Sequence, residues 1–145
     1  MEKQTTAINL FTEGKNCAQA VLISFADDLK LDKKTAENLT SGLGAGMGRL
    51  HKTCGAVNGS FMVIGMHNSI NIADTQTRAD NTNLKIQQLE SAFAKKFGSS
   101  DCGPIINTDL KTEEGRKYFA DNNLKVNICN NCVEFCVNWL EGNLD

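Results

Sequence analysis

Apolar residues recur at helical spacing through most of this chain, and only one proline, Pro104, stands among its 145 residues. For example, Cys17, Val21 and Phe25 fall at i, i+4 and i+8, which places them on one face of a helix. β-Branched residues rarely cluster, and the strand-like fragment at 125–128 cannot form a sheet by itself. The sequence therefore predicts an all-α fold, a single compact multi-helix bundle.

The individual helices follow from this spacing and from residues suited to helix ends. They are predicted over residues 3–13, 17–30, 34–50, 54–67, 77–97, 112–121 and 132–141. A polar loop is expected over 67–76. The chain shows no linker and no internal repeat, so we predict one domain over residues 1–145.

The composition excludes several classes of protein. The net charge is −2, so no broad basic surface is available and nucleic-acid binding is not expected. The apolar runs at 20–26 and 61–66 are far shorter than a membrane span requires. The first sixteen residues are polar and do not resemble a secretory signal, so we expect a cytoplasmic protein. Two-fold dimers are the commonest soluble oligomers, and a homodimer is an open alternative to a monomer.

Six cysteines are the outstanding feature of this composition. In a reducing cytosol they are not expected to form a permanent disulfide framework, and a chain of this size does not need one. Cysteines in such proteins bind metal, carry out redox chemistry or fill the core as small apolar side chains. These three alternatives frame the functional question.

Four of the cysteines directly follow a residue suited to capping a helix. The pairs are Asn16 with Cys17, Thr53 with Cys54, Asp101 with Cys102, and Asn131 with Cys132. A thiol at the first position of a helix lies near unpaired N–H groups and a partial positive charge, which favour the thiolate. Arg49, His51 and Lys52 add positive charge near Cys54, so this thiol is predicted to be reactive. His51 is either a general base for Cys54 or a solvated loop residue.

Glycines surround the central cysteine. Gly42, Gly44, Gly46 and Gly48 alternate before it, and such a segment either ends the preceding helix early or lets the backbone approach another group closely. Gly55 and Gly59 follow at i and i+4 and are expected to allow close packing between helices. That packing would bring the start of this helix near other elements, as a shared cysteine site requires.

The remaining cysteines raise the alternative of metal binding. Cys129 and Cys132 form a C-x-x-C pair that could form a reversible disulfide or chelate a metal. Val133 follows where a c-type haem motif requires histidine, so no haem c is expected. Cys136 is interpreted as a core residue. The thiolates of Cys17, Cys54, Cys102 and Cys132 together would meet the usual demand of zinc or an iron–sulfur cluster.

With these motifs, the chain resembles the family of redox-active proteins named for a C, GCAxxG, C, C pattern. The resemblance runs through the segments 16–25, 42–49, 54–65, 101–106 and 132–140. The four characteristic cysteines correspond to Cys17, Cys54, Cys102 and Cys132, and Gly55, Ala56 and Gly59 match the rest of the central motif. Cys129 and Cys136 are additional.

The resemblance implies redox activity with an unidentified partner, and a link to a transporter, because such proteins are often encoded near transporter genes. A similar domain in multi-haem proteins stands beside an iron–sulfur centre. Three hypotheses remain. The first is thiol–disulfide chemistry by Cys17, Cys54, Cys102 and Cys132, the second is a metal or iron–sulfur centre on these cysteines, and the third is a helical interaction domain with inert cysteines.

Overall fold

The computed structural model describes residues 2–144, so the first and last residues of the predicted domain lie outside the described part. Residues 2–144 form eight α-helices and one π-helical turn. The helices are α1 (Glu2–Thr12), α2 (Cys17–Phe25), α3 (Lys33–Leu39), α4 (Gly55–Asn71), α5 (Thr75–Phe97), α6 (Cys102–Ile106), α7 (Glu113–Asp121) and α8 (Asn130–Asn143), and the π-helical turn is Lys125–Cys129. Residues 2–144 contain no strand, and the predicted all-α fold is confirmed.

Helix α4 lies at the centre of the bundle and packs against α2, α5 and α8, while α1 packs against α2 and α8. Gly59 allows α2 and α4 to approach closely, because a Cβ atom at this position would lie 2.8 Å from the carbonyl oxygen of Ala18. The helices enclose one apolar core, and its largest fully buried side chains include Phe93, Leu22, Leu29, Ile64, Leu89 and Leu140. Close packing in this core fixes the positions of the helices that carry the cysteines.

The predicted helix over 34–50 is too long, since α3 ends at Leu39. Two of the residues expected on its apolar face, Leu39 and Leu50, do not reach the core and are 59% and 58% exposed. At the end of α3, the hydroxyl of Thr40 donates to the carbonyl of Ala36 at 2.6 Å. The helix therefore ends before the alternating glycines, and such an early end is one of the two outcomes expected for that segment.

Five consecutive residues after α3 adopt left-handed backbone conformations, with φ of 52° at Ala45, 68° at Gly46, 66° at Met47, 60° at Gly48 and 63° at Arg49. We call this stretch the left-handed segment. Such conformations cost non-glycine residues about 1–2 kcal/mol each, whereas glycine adopts them freely. Backbone hydrogen bonds hold the segment, and the N–H groups of residues 51 and 52 donate to the carbonyls of Ala45 and Gly46 at 3.2 and 3.0 Å.

Other boundaries also differ from the predictions. Helix α2 ends at Phe25 instead of residue 30, and α4 extends to Asn71, which shortens the predicted loop over 67–76 to three residues. The fragment at 125–128 does not resemble a strand in the structure, because it forms the π-helical turn that leads into α8. Helix α8 consequently begins before the predicted residue 132. Within residues 2–144, the helices are all too short or too polar to cross a bilayer.

Candidate functional site: a cysteine-lined cavity

A cavity of about 460 Å³ lies where α2, α4, α6 and the π-helical turn come together. Five of the six cysteines line it: Cys17, Cys54, Cys102, Cys129 and Cys132. All six cysteines are free thiols in this structure. The fold therefore brings the four cysteines predicted as a site to one cavity, together with Cys129 of the C-x-x-C pair.

Cys17 is positioned by a capped helix start. The side chain of Asn16 accepts a hydrogen bond from the Gln19 N–H at 2.8 Å, and the Gln19 side chain accepts one from the Asn16 N–H at 2.8 Å. The Asn16 amide also donates to the carbonyl of Thr40 at 3.0 Å, which ties the start of α2 to the end of α3. Asn16 thus caps α2 as predicted, and Cys17 is its first residue.

Gly55 leaves room for the Cys17 sulfur against α4. A Cβ atom at residue 55 would lie 2.3 Å from the Sγ of Cys17 and 2.9 Å from the carbonyl oxygen of Leu43. Both distances are too short for any side chain to be accommodated without movement. The sulfur therefore packs directly on the first residue of α4, next to Cys54.

Cys54 and Cys102 are brought together by two short paired segments. Thr53 and Asp101 form an isolated antiparallel bridge. On either side of it, the Cys54 N–H donates to the Ser100 carbonyl at 2.8 Å and the Cys102 N–H donates to the Lys52 carbonyl at 2.7 Å. We call these segments, 52–54 and 100–102, the paired segments.

Comparison with known proteins identifies the family. A sequence profile described as "Putative redox-active protein (C_GCAxxG_C_C)" matches residues 15–142. The chain belongs to this family. No curated protein and no solved structure matches the chain. The central family segment reads C-G-A-x-x-G here, from Cys54 to Gly59. Its first glycine follows the cysteine, whereas the pattern in the family description has a glycine before the cysteine. In the structure Gly55 accommodates a thiol and Gly59 accommodates the backbone of α2.

Three of the predicted helix starts need correction in this family member. Cys54 is the N-cap of α4 and not its first residue, and Thr53 does not cap the helix. Cys132 is the third residue of α8, which continues from the π-helical turn, so its sulfur does not lie at a free helix N-terminus. Cys102 does begin α6, but the side chain of Asp101 makes no capping hydrogen bond and α6 has only five residues. The favourable position at the start of a capped helix therefore applies to Cys17.

The thiols of Cys17, Cys54 and Cys132 interact in a row. Two effects raise the pKa of Cys17 well above its usual value. Hydrogen bonding to the Cys54 thiol is the larger, and burial is the second. Hydrogen bonding to Cys132 raises the pKa of Cys54 in the same way, and burial adds to the effect. The prediction that Cys54 is readily ionised was therefore wrong. The N–H groups of Ala45 and Ala18 act in the opposite direction at Cys17, because hydrogen bonds to its sulfur stabilise the thiolate.

The pKa values of Cys102 and Cys129 are raised for a different reason. Burial is the largest cause that raises the pKa values of Cys102 and Cys129 to about 12, and the Cys17 charge is the next largest. Lys125 partly offsets the shift at Cys129. The charge of Cys17 thus acts on both of these thiols.

Cys136 differs from these five cysteines in its position. Its side chain is fully buried in the core and does not line the cavity. Burial raises its pKa to about 12, while a hydrogen bond with Ser60 acts in the opposite direction. This placement agrees with the interpretation of Cys136 as a core residue.

His51 has a structural role between two loops. Its Nε2 accepts a hydrogen bond from the Leu110 N–H at 3.0 Å, and its Nδ1 lies 3.8 Å from an oxygen of Asp109. Both ring nitrogens thus face the loop before α7, and the side chain is only 12% exposed. The expectation of a solvated loop histidine was therefore wrong, and the contacts leave His51 no hydrogen bond to Cys54 among the described residues.

Four cationic side chains line the cavity, of which only Arg49 was singled out from the sequence. The others, Lys15, Arg116 and Lys125, come from the loop between α1 and α2, from α7 and from the π-helical turn. No local motif marks them, because they meet only through tertiary folding.

The metal hypothesis stays a prediction, since among residues 2–144 no group of three or more His, Cys, Asp or Glu side chains is arranged to hold a metal ion.

Proposed function

We propose that this chain is a thiol–disulfide redox protein in which Cys17 attacks a disulfide and Cys54 resolves the product. The observation that carries the proposal is the adjacency of these two thiols at the wall of one cavity. Family membership supports redox activity in the general sense. Two neighbouring thiols supply the two electrons that reduce one disulfide bond.

Accessibility favours Cys17 as the attacking residue. Cys17 is partly exposed as a residue, whereas Cys54 and Cys132 are 8% and 2% exposed. Once ionised, the Cys17 sulfur would accept hydrogen bonds from the N–H groups of Ala45 and Ala18. The raised pKa keeps the thiolate a minor species at neutral pH, so the reaction is expected to accelerate as the pH rises above neutral.

The proposed reaction has two exchange steps. The Cys17 thiolate attacks one sulfur of a disulfide R–S–S–R, a Cys17–S–S–R bond forms, and RS⁻ leaves and takes up a proton. Cys54 then loses its proton and attacks the Cys17 sulfur, which forms a Cys17–Cys54 disulfide and releases the second RS⁻, to be protonated in turn. Two protein thiols are oxidised and one external disulfide is reduced to two thiols. Cys132 contacts Cys54, so it could accept the disulfide bond by a further exchange.

The test is anaerobic purification followed by incubation with 2-hydroxyethyl disulfide and mass mapping of the cysteines. In the wild type we expect a Cys17–Cys54 disulfide. In Cys54→Ser the second step is missing, so a mixed disulfide should accumulate on Cys17. In Cys17→Ser neither product should form.

Cys136→Ala is the matched control, because Cys136 is fully buried and does not line the cavity, so its loss should leave the Cys17–Cys54 product unchanged. Formation of protein disulfide at the wild-type rate in Cys17→Ser contradicts the assignment of Cys17. Zinc or iron bound at stoichiometry after anaerobic purification, with no disulfide formed, contradicts the proposal and favours the metal alternative.

A further inference from the structure

The cavity concentrates positive charge in a chain whose net charge is −2. Lys15, Arg49, Arg116 and Lys125 line it, and no aspartate or glutamate is among the described residues that do so. Lys15 and Lys125 are partly buried, and Arg49 and Arg116 are exposed. Cations in a concave surface with low-dielectric walls focus the electrostatic field and attract anions.

Most of this charge is not neutralised by the protein. Lys15 pairs with Glu37 at 2.5 Å. In contrast, Arg116 donates to the backbone carbonyl of Leu110 at 2.9 Å, and the ammonium of Lys125 lies 4.6 Å from the centre of the Phe11 ring. Arg49, Arg116 and Lys125 make no ion pair with any carboxylate in residues 2–144.

The remaining walls are apolar and set the size of the ligand. Phe11, Phe119, Ile105, Ile106 and Leu110 line the cavity beside the thiols. A volume of about 460 Å³ suits a small organic molecule and is too small for a folded partner. A ligand that satisfies both features carries negative groups on a short carbon skeleton.

We infer that the cavity binds small organic dicarboxylates, and that the disulfide which oxidises Cys17 is a low-molecular-weight disulfide bearing carboxylates. The second half of this inference rests on the proposed thiol–disulfide function. The carboxylates would pair with Arg49, Arg116 and Lys125, while the chain between them lies on the apolar walls and presents the disulfide to Cys17.

The test compares three small disulfides of similar size and different charge. They are 3,3′-dithiodipropionate, which is anionic, 2-hydroxyethyl disulfide, which is neutral, and cystamine, which is cationic. Each rate of Cys17 oxidation is divided by the rate of the same probe with a small neutral thiol. We expect the anionic probe to exceed the neutral one by about tenfold or more at low salt, with cystamine slowest and the differences shrinking as salt is added.

Two variants and a matched control locate the charge. Arg116→Gln and Lys125→Gln should each lower the ratio of anionic to neutral rates. Lys117→Gln should leave that ratio unchanged, because Lys117 is on α7 beside Arg116 but pairs with Asp121 at 2.6 Å and does not line the cavity. Equal corrected rates for the three probes overturn the inference.

Binding of 3,3′-thiodipropionate separates this inference from the proposed function, since this thioether has the same charges and no disulfide. Calorimetry should detect its binding to the wild type and weaker binding to Arg116→Gln. If the thioether binds but no probe oxidises the cysteines, the proposed function fails and the anion site stands. If the probes oxidise Cys17 but the thioether does not bind, the anion site fails and the proposed function stands.

Discussion

Gly55 determines how the first thiol of the site meets helix α4. The Cys17 sulfur occupies the space that a side chain at residue 55 would need, and the carbonyl of Leu43 closes the same space from another direction. Because this carbonyl belongs to the backbone, it cannot move aside as the end of a flexible side chain could. A single glycine is thus part of the geometry that keeps Cys17 beside Cys54.

Gly55→Ala should destabilise the protein and separate these two thiols. The added methyl group would overlap with the Cys17 sulfur, and overpacking of this kind costs about 1–3 kcal/mol of unfolding free energy. Chemical denaturation measures that loss, and the yield of the Cys17–Cys54 disulfide measures the separation.

Gly65→Ala on the same helix is the control, since a Cβ atom there meets nothing within 4 Å. It should leave disulfide formation unchanged and stabilise the helix by up to about 1 kcal/mol. Equal unfolding free energies and equal disulfide yields in the two variants would show that the contact of residue 55 with Cys17 does not hold the two thiols together.

At the scale of the element, the left-handed segment connects the end of α3 to the cysteine site. Its first residue, Ala45, provides one of the N–H groups that bond the Cys17 sulfur. Its glycines differ in what surrounds them. A Cβ atom at Gly46 would lie 2.5 Å from the backbone nitrogen of Lys52, whereas one at Gly48 would meet nothing within 4 Å.

Three glycine-to-alanine substitutions in and before this segment should therefore lower the unfolding free energy by different amounts. Gly42→Ala should be nearly neutral, because residue 42 has neither a left-handed backbone nor a close neighbour. Gly48→Ala should cost about 1–2 kcal/mol for its left-handed backbone alone. Gly46→Ala should cost more, since it adds a steric overlap to the same strain. Unfolding free energies from denaturant titration test the order, and a Gly46→Ala variant as stable as Gly42→Ala would contradict it.

The cysteine positions also show which parts of the element pattern a sequence can predict. The capped start of α2 was predictable, because the interactions of Asn16 with Gln19 are local in the chain. The start of α8 was not, since Asn131 resembles a cap but its side chain donates to the carbonyl of Asn127 within a continuing helix. Contacts from other helices stabilise this earlier start, including that of Lys125 with Phe11.

At the scale of the whole molecule, the fold gathers five thiols from four separate places in the chain into one cavity. The residues suited to helix capping indicated four of these five cysteines, although Asn16 is the only one of the four that makes the predicted capping hydrogen bond. The cations around them could not be predicted, because Lys15, Arg116 and Lys125 are distant in sequence and lie in no motif. The pKa values were likewise unpredictable, since burial and contacts between thiols, not helix ends, dominate them.

The buried thiols should make the fold sensitive to alkali. Burial raises the pKa values of Cys102, Cys129 and Cys136 to about 12 in the folded chain, above that of an exposed thiol. The folded state therefore holds these protons more tightly, and this contribution is complete below about pH 9 and is lost as the pH rises towards about 12. We expect the unfolding free energy to fall across this range.

Cys136→Ala provides the comparison, because it removes one buried thiol without touching the cavity. The decline of unfolding free energy with pH should be shallower in this variant than in the wild type when both are measured by denaturant titration. Parallel declines in the two proteins would show that Cys136 does not contribute.

The paired segments have a topological consequence. The chain leaves the site at Cys54, runs out along α4, turns at residues 72–74, and returns along α5 to Cys102. Because the bridge between Thr53 and Asp101 fastens both ends of this excursion, the spacing of the two sulfurs does not depend on how far the hairpin extends. The tip at 72–74 can thus change in length while the paired segments at its base keep the same geometry.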